Sequence, residues 1–278
     1  MLPTPDTSHV PYSRVYEPAE DSFLLLDTLS SDSETSFLHS RFSNSDKNDN
    51  TLPAAAAAAA QAPFVVEIGS GSGVVIAFAT AHAEKIFGTT QVLTAAIDMN
   101  FHACAATRAT AWKASAEHYK TAGLFLCAAR GDLTVSLRDG SVDVLIFNPP
   151  YVPTPEMPLT VEGSSNEGGD ETESRGLRGE EKTSFEEDSY LLALSYAGGK
   201  DGMETTERLL DSLPRVLSNR GCAYVLLCAQ NKPEEVKKRV RAVKGRGDHD
   251  RPWKAETVAT SGKKAGWEKL QIIRIWRE

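Results

Sequence analysis

One nine-residue run constrains the fold of this chain more than any other part of its sequence. Residues 143–151, Asp-Val-Leu-Ile-Phe-Asn-Pro-Pro-Tyr, join a short apolar stretch to two consecutive prolines. This pattern is typical of a buried parallel strand that ends at the carboxyl edge of an α/β sheet, where such sheets bind ligands. Proline lacks a backbone N–H and pushes its predecessor out of the helical region, so the corner is stiff. A plain strand end is the alternative interpretation of this motif alone.

The stiff corner indicates a site that grips a planar –NH2 group. The Asn148 side-chain oxygen and the Pro149 backbone carbonyl can each accept a hydrogen bond from one amino group, and the Tyr151 ring can cover it. Two such acceptors would place the nitrogen and stabilise positive charge that grows on it. We assign Asn148, Pro149 and Tyr151 to catalysis, and Asn148, Pro150 and Tyr151 to substrate binding.

A glycine-rich turn between a predicted strand and a predicted helix indicates a cofactor site. Strand 64–68 leads into Gly-Ser-Gly-Ser-Gly at 69–73 and then into helix 74–83. Such a turn lets the backbone approach a ligand and aims helix N–H groups at it. The spacing suits S-adenosylmethionine better than a pyrophosphate, because an acid beside the turn favours the cationic amino group of the ligand. The cofactor candidates here are Glu67, Gly69, Gly71 and Gly73.

An acid at the end of the next predicted strand, residues 91–97, extends this site. Asp98 is well placed to accept hydrogen bonds from both ribose hydroxyls of a nucleoside cofactor. Its alternative role is a simple cap of the helix predicted at 101–120.

Four motifs resemble the HemK-like protein methyltransferases, which methylate the glutamine amide nitrogen of translation termination factors, and they occur in the order typical of that family. In chain order they are the N-terminal segment 15–27, Glu-x-Gly-x-Gly-x-Gly at 67–73, Asn-Pro-Pro-Tyr at 148–151 and Ala-Gly-Gly-Lys-Asp-Gly at 197–202. The first and the last of these are similar to the eukaryotic branch. The resemblance implies N5-methylation of the Gly-Gly-Gln glutamine of the eukaryotic class I termination factor, either free or in its GTP-bound complex.

The resemblance also implies cofactor contacts, position by position, for S-adenosylmethionine and its product S-adenosylhomocysteine. Tyr16, Ser22 and Asn148 would contact the cofactor, with Ser22 at the methionine carboxylate. Asp132 and Leu133, after the third strand, would meet the adenine. An ordinary place at a helix start is the alternative for Ser22.

The eukaryotic branch pairs with a small zinc-binding activator subunit, so the resemblance implies a heterodimer. We expect this partner to cover an unpaired sheet edge. The apolar strand 124–128 would lie at an edge, and we take Phe125 as the contact to test.

Alternating strands and helices predict a Rossmann-like class I methyltransferase fold in a single α/β domain over 1–278. Its seven-stranded, mostly parallel sheet has one antiparallel strand and helices on both faces. The further strands are expected at 143–147, 222–229, near 258 and at 269–276, and the further helices at 20–30, 205–216 and 233–243.

Two segments interrupt this pattern. Residues 30–62 hold a Ser/Asn/Asp-rich stretch and an alanine run, and we expect a low-complexity insertion there. Residues 154–189 form an acidic, flexible insertion, because 160–189 contain ten Asp or Glu against three Lys or Arg and few apolar residues. It is either a solvated loop or a gate for the substrate.

The composition argues against several classes of protein. The net charge of −8 disfavours nucleic acid as the main partner, since phosphate binding needs a basic face. No apolar stretch approaches the ~18 residues of a membrane span. The six histidines show no metal-like grouping, so we assign no metal. Four cysteines without close pairing predict buried free thiols in a reducing compartment. We expect the protein in the cytoplasm, with the nucleus as a second location.

Two other functions are open at this stage. An Asn-Pro-Pro-Tyr corner also serves N6-adenine methyltransferases of DNA or RNA, because an adenine amine is another planar –NH2 group. Those enzymes need a base-flipping pocket and a basic surface. A non-catalytic scaffold is the third candidate, and the intact motifs at both sites disfavour it.

Overall fold

The computed structural model describes residues 2–42, 62–155, 190, 192–243, 251–261 and 269–278. Most of the two predicted insertions, residues 43–61 and 156–189, lies outside the described residues.

Within the described residues, seven strands form one sheet. They are β1 (Phe64–Ile68), β2 (Leu93–Asp98), β3 (Leu124–Arg130), β4 (Val142–Phe147), β5 (Leu217–Cys228), β6 (Trp253–Thr260) and β7 (Leu270–Arg277). The spatial order is β3-β2-β1-β4-β5-β7-β6. Strands β1 to β5 pair in parallel, whereas β7 runs antiparallel to both β5 and β6. The predicted sheet with one antiparallel strand is confirmed.

Helices cover both faces of this sheet, as predicted. They include α1 (Glu20–Ser30), α2 (Asp32–Phe42), α3 (Val74–Ala81), α4 (Ala83–Phe87), α5 (Phe101–Glu117), α6 (Glu204–Val216) and α7 (Pro233–Arg241). Successive residues of β1 point to opposite faces. Val65 therefore joins the core formed with α1 to α5, and Val66 joins the core formed with α6 and α7.

Residues 32–42 differ from the prediction that placed them in a low-complexity insertion. They form α2, whose Leu38 and Phe42 are buried in the core. Its buried Glu34 accepts hydrogen bonds from the Tyr224 hydroxyl at 2.8 Å and from Arg274 Nη1 at 2.8 and 2.9 Å. This pairing offsets the cost of burying the charge of Glu34. The segment is mostly polar, so its sequence does not indicate that Leu38 and Phe42 pack into the core.

Several predicted boundaries also move. Strand β5 begins at Leu217 rather than at residue 222, and the helix predicted at 101–120 ends at Glu117. The helix predicted at 74–83 divides at His82 into α3 and α4. The four cysteines are free, as expected, but only Cys222 and Cys228 are buried; Cys104 is half-buried and Cys127 is exposed.

Strand β3 lies at an edge of the sheet, as predicted. The choice of Phe125 as its surface contact was wrong, because Phe125 is 7% exposed and packs into the core. Side chains alternate along a strand, so the neighbours Leu124 and Leu126 face outwards and are 59% and 47% exposed.

Candidate active site

A cavity of about 450 Å³ opens at the carboxyl ends of β1, β2 and β4. Ligands of open α/β sheets bind at this edge, where successive connections leave the sheet on opposite sides. The structure brings all the predicted site residues except Gly73 into its wall. These residues are Tyr16, Ser22, Glu67, Gly69, Gly71, Asp98, Asp132, Leu133, Asn148, Pro149, Pro150 and Tyr151.

The glycine turn joins β1 to α3 and forms the floor of the cavity. Gly69, Gly71 and Gly73 all have positive φ, at 66°, 52° and 78°, which side chains disfavour. Gly73 has a different role from the other two. A Cβ atom there would overlap Thr107 of α5, so the structure gives Gly73 a role in helix packing.

A buried acid, Glu67, and a half-buried acid, Asp98, flank the glycine turn. Glu67 Oε2 accepts the Ile76 N–H of α3 at 2.9 Å, and Asp98 Oδ2 accepts the Gly71 N–H at 2.9 Å. Burial raises the pKa of Glu67 well above its usual range, and the nearby charge of Asp98 raises this pKa further. Burial also raises the pKa of Asp98. When ionised, both carboxylates place negative charge where a cationic ligand would lie.

The alternative that Asp98 merely caps a helix is ruled out. The N-cap of α5 is Asn100, whose side-chain oxygen accepts the His102 N–H at 2.9 Å. Asp98 instead accepts hydrogen bonds from the Gly71 N–H of the glycine turn and from the Asn100 N–H, and it lines the cavity.

The Asn-Pro-Pro-Tyr corner follows β4 directly. The Asn148 side chain donates from Nδ2 to Asp21 Oδ2 at 3.1 Å. Its Oδ1 atom is buried and has no hydrogen-bond partner among the described residues. An unpaired buried acceptor costs free energy. In the cavity wall, Asn148 Oδ1 is therefore an acceptor ready for a donor that a ligand supplies.

A glycine-rich loop braces this corner from behind. A Cβ atom at Gly198 would overlap the Pro150 carbonyl, and one at Gly202 would overlap the Tyr151 carbonyl. The Asn231 side chain donates to the Tyr151 carbonyl at 3.1 Å. The motif at 197–202 therefore allows a close backbone approach that holds Tyr151 in place.

The opposite side of the cavity carries a second unpaired acceptor. Asp132 pairs with Arg208 through its Oδ2 atom, while its Oδ1 atom is buried without a partner in the described chain. Leu133 beside it has a positive φ of 47°. This backbone is rare for leucine, and such strain is often found at ligand sites.

Known methyltransferases are similar to this chain over almost its whole length. No protein-family model matches the chain. Over 100% of its length it is 30% identical to the eRF1 methyltransferase catalytic subunit mtq2 of Schizosaccharomyces pombe, 96% of which is covered. It is 31% identical to Methyltransferase HEMK2 of Mus musculus, over 99% of this chain and 96% of that protein. The chain belongs to the HEMK2 and Mtq2 family of methyltransferases.

A solved structure confirms the fold of this HEMK2 and Mtq2 family member. The E. cuniculi Mtq2–Trm112 complex contains a chain that aligns with a TM-score of 0.51 and 20% identity. The alignment covers 95% of this chain and 99% of that one. The fold is therefore that of a class I methyltransferase.

Membership of the HEMK2 and Mtq2 family implies S-adenosylmethionine as the methyl donor, and the cavity fits it. Asp132 Oδ1 lacks a donor, which an exocyclic adenine amine would supply. The Asp98 carboxylate suits a ribose diol. Glu67 lines the same cavity, where the cationic amino group of the methionine end would favour its charged form. In the part of the chain that the structure describes, no three His, Cys, Asp or Glu side chains are grouped to hold a metal ion. The described helices also include none with the length and apolar character needed to cross a membrane.

Sequence reasoning missed four residues of this site. Asp21 and Arg208 line the cavity and hold Asn148 and Asp132, while Asn231 braces the corner. Tyr190 also lines the cavity, and its buried hydroxyl has no partner in the described chain. Only Asp21 could have been found from the sequence, since it stands next to Ser22 in the N-terminal segment.

Proposed function

We propose that this methyltransferase transfers the methyl group of S-adenosylmethionine to the side-chain N5 of a glutamine in eRF1, within the Gly-Gly-Gln motif. The observation that carries the proposal is Asn148 Oδ1, a buried acceptor without a partner in the described chain, on a stiff corner beside the cofactor cavity. The name of the S. pombe relative, an eRF1 methyltransferase catalytic subunit, supports the same substrate.

The chemistry follows from the weakness of an amide nucleophile. The lone pair of the glutamine nitrogen is delocalised into its carbonyl, so the nitrogen must be positioned for attack. Asn148 Oδ1 and the Pro149 carbonyl would accept its two N–H groups and direct the lone pair away from both. Holding the reactants in this way can remove on the order of 7–11 kcal/mol of barrier in favourable cases.

When bound, S-adenosylmethionine supplies an electrophilic methyl group on a sulfonium. Transfer of that group to the glutamine nitrogen would leave the electrons of the broken S–C bond on sulfur, with S-adenosylhomocysteine as the product. Positive charge then grows on the glutamine nitrogen, where Asn148 Oδ1 and the Pro149 carbonyl stabilise it more in the transition state than in the ground state. The cationic methylated amide is a strong acid and releases its proton to water, so the site needs no strong base.

Two observations favour this function over adenine methylation. The net charge of −8 is unsuited to a phosphate backbone. The S. pombe relative is named for a protein substrate. Adenine methylation remains an outcome of the test below.

The proposal includes a small zinc-binding activator on the β3 edge. This edge is unpaired within the described sheet, and Leu124 and Leu126 are exposed on it. Exposed apolar side chains beside free backbone N–H and C=O groups are suited to pairing with a partner. The E. cuniculi Mtq2 was solved as a complex with Trm112. We place the reaction in the cytoplasm, where termination factors act on ribosomes, with the nucleus as a second location.

The test uses the chain co-expressed with the activator and supplied with methyl-labelled S-adenosylmethionine. Wild-type eRF1 is compared with eRF1 whose Gly-Gly-Gln glutamine is replaced, free and with GTP and its GTPase partner. Label that disappears with the glutamine supports the proposal. Label that persists on the variant, or that appears only on added DNA or RNA, would refute it.

A further inference from the structure

Asp21 is a buried carboxylate at the rear of the active site. It lies in the first turn of α1, is 3% exposed and lines the cavity. Its Oδ1 atom accepts the Ser22 backbone N–H at 2.6 Å and the Ser22 hydroxyl at 3.2 Å. Its Oδ2 atom accepts the Tyr16 hydroxyl at 3.2 Å and Asn148 Nδ2 at 3.1 Å. The Asn148 carboxamide is therefore held by the Asp21 carboxylate, which accepts hydrogen bonds and donates none.

The orientation of that carboxamide decides what the site can bind. The two ends of an asparagine side chain have nearly the same shape, and a rotation of about 180° exchanges acceptor for donor. Only one orientation leaves Asn148 Oδ1 free towards the cavity. In the other, Oδ1 would face the Asp21 carboxylate, oxygen against oxygen.

We propose that Asp21 is a positioning residue that fixes the Asn148 carboxamide with its oxygen towards the substrate nitrogen. This inference rests on the proposed function, because it states how the site selects an –NH2 donor. It also explains why Asn148 Oδ1 is left without a partner in the described chain: the only competing orientation is electrostatically disfavoured.

An Asp21→Asn variant tests this with almost no change of shape. The Ser22 N–H, at 2.6 Å, keeps the remaining oxygen at the Oδ1 position, so the new amino group replaces Oδ2 and faces Asn148. Asn148 must then rotate to accept, and its own amino group turns to the cavity. There the amino group of Asn148 faces the amino group of the substrate glutamine, and neither can accept a hydrogen bond from the other.

The expected result is a loss of methyl transfer without loss of cofactor binding. We expect kcat to fall on the order of 10²–10³-fold, as for removal of one preorganised transition-state hydrogen bond. The Kd for S-adenosylhomocysteine should change by less than about threefold, because the contacts to Ser22 are kept. Asp27→Asn, an exposed change on the same helix, is the matched control and should leave kcat unchanged.

The reciprocal exchange provides the decisive variant. In the double variant Asp21→Asn/Asn148→Asp, the new carboxamide at position 21 donates to the new carboxylate at position 148, whose second oxygen again faces the cavity. We expect its kcat to exceed that of either single variant by about tenfold, since the two sites are coupled. Asp21→Asn with wild-type kcat, equal losses in kcat and cofactor affinity, or a double variant no better than the single variants would overturn the proposal.

A measurement without substrate separates this inference from the proposed function. The Asn148 side-chain amide resonances, assigned by their disappearance in Asn148→Asp, should shift in Asp21→Asn and stay in place in Asp27→Asn. If wild-type enzyme fails to label the glutamine while these resonances shift as expected, the proposed function fails and the positioning role of Asp21 stands. If they do not shift, the positioning role is refuted.

Discussion

Substitution of Asn231 tests how the active site is held together, as distinct from how its residues contact the ligands. This residue is 2% exposed and follows β5. Its Oδ1 atom accepts the Cys228 N–H at 2.8 Å. Its Nδ2 atom donates to the carbonyls of Tyr151, Asp201 and Gly202 at 3.1, 3.0 and 3.3 Å. One side chain therefore joins the end of β5, the catalytic corner and the glycine-rich loop.

Asn231→Asp keeps the shape and the bond to Cys228 but replaces the donor with an oxygen. Nδ2 has two hydrogens, so two full hydrogen bonds are lost at about 1 kcal/mol each, and buried oxygens set against each other add about 1–3 kcal/mol. The free energy of unfolding should therefore fall by about 3–5 kcal/mol. In a domain of this size that lowers Tm by roughly 10 °C.

The assay is thermal unfolding of the co-expressed complex, followed by methyl transfer well below the Tm of the variant. Asn148→Ala is the matched comparison. It removes one hydrogen bond, so we expect a loss of only about 1 kcal/mol in stability, with a far larger loss in kcat than in cofactor affinity. An Asn231→Asp complex with the same Tm as the wild-type complex would refute the argument that this side chain stabilises the corner.

Three further regions of the molecule give testable expectations. Leu126→Glu should abolish activator binding in a pull-down. It should leave the Tm of the isolated chain within about 2 °C of the wild-type value, because the side chain is exposed. A complex that still forms would exclude the β3 edge as the activator-binding surface. Bound activator should protect the exposed Cys127 from alkylation, and equal labelling of free and bound chain would contradict that. The affinity for S-adenosylhomocysteine should fall as the pH is lowered, because burial raises the pKa of Asp98, which then takes up a proton at a higher pH than a free aspartate and loses its charge as an acceptor; a Kd that does not change with pH in calorimetry would contradict this. Arg208→Ala frees Asp132 to rotate and should weaken the same affinity by about tenfold, with unchanged affinity as the contrary result.

The sheet and most of the cavity could be predicted because the decisive signals are local. Apolar runs, glycines at a strand end and a double proline each determine the backbone over a few residues. The orientation of Phe125 could not be predicted, since Leu-Phe-Leu-Cys-Ala is apolar at every position and has no period-2 pattern to distinguish its two faces. The residues of α2 were missed because Glu34 is compensated by Arg274, which is distant in sequence.

The brace formed by Asn231 was missed for a topological reason. Asn231 and Tyr151 are distant in sequence and meet only because β4 and β5 are parallel neighbours whose carboxyl ends lie together. A pattern along the chain carries no information on such a contact until the strand order is known. Tyr190 was missed because it lies in none of the motifs, and its place in the cavity wall is seen only in the structure.

The two ends of the cavity follow one principle. At each end a polar side chain has one terminal atom held by a neighbour and the other buried without a partner in the described chain: Asp21 holds Asn148, and Arg208 holds Asp132. A site built to accept a hydrogen bond rejects a ligand that lacks the donor, because the acceptor would then stay buried and unpaired. Of the two acceptors, Asn148 belongs to the Asn-Pro-Pro-Tyr motif, whereas Asp132 follows β3 and lies in none of the four motifs. On the proposal above, the orientation of both acceptors, and so the choice of an –NH2 group at both ends, is set by Asp21 in the N-terminal segment and by Arg208, which lies outside the four motifs.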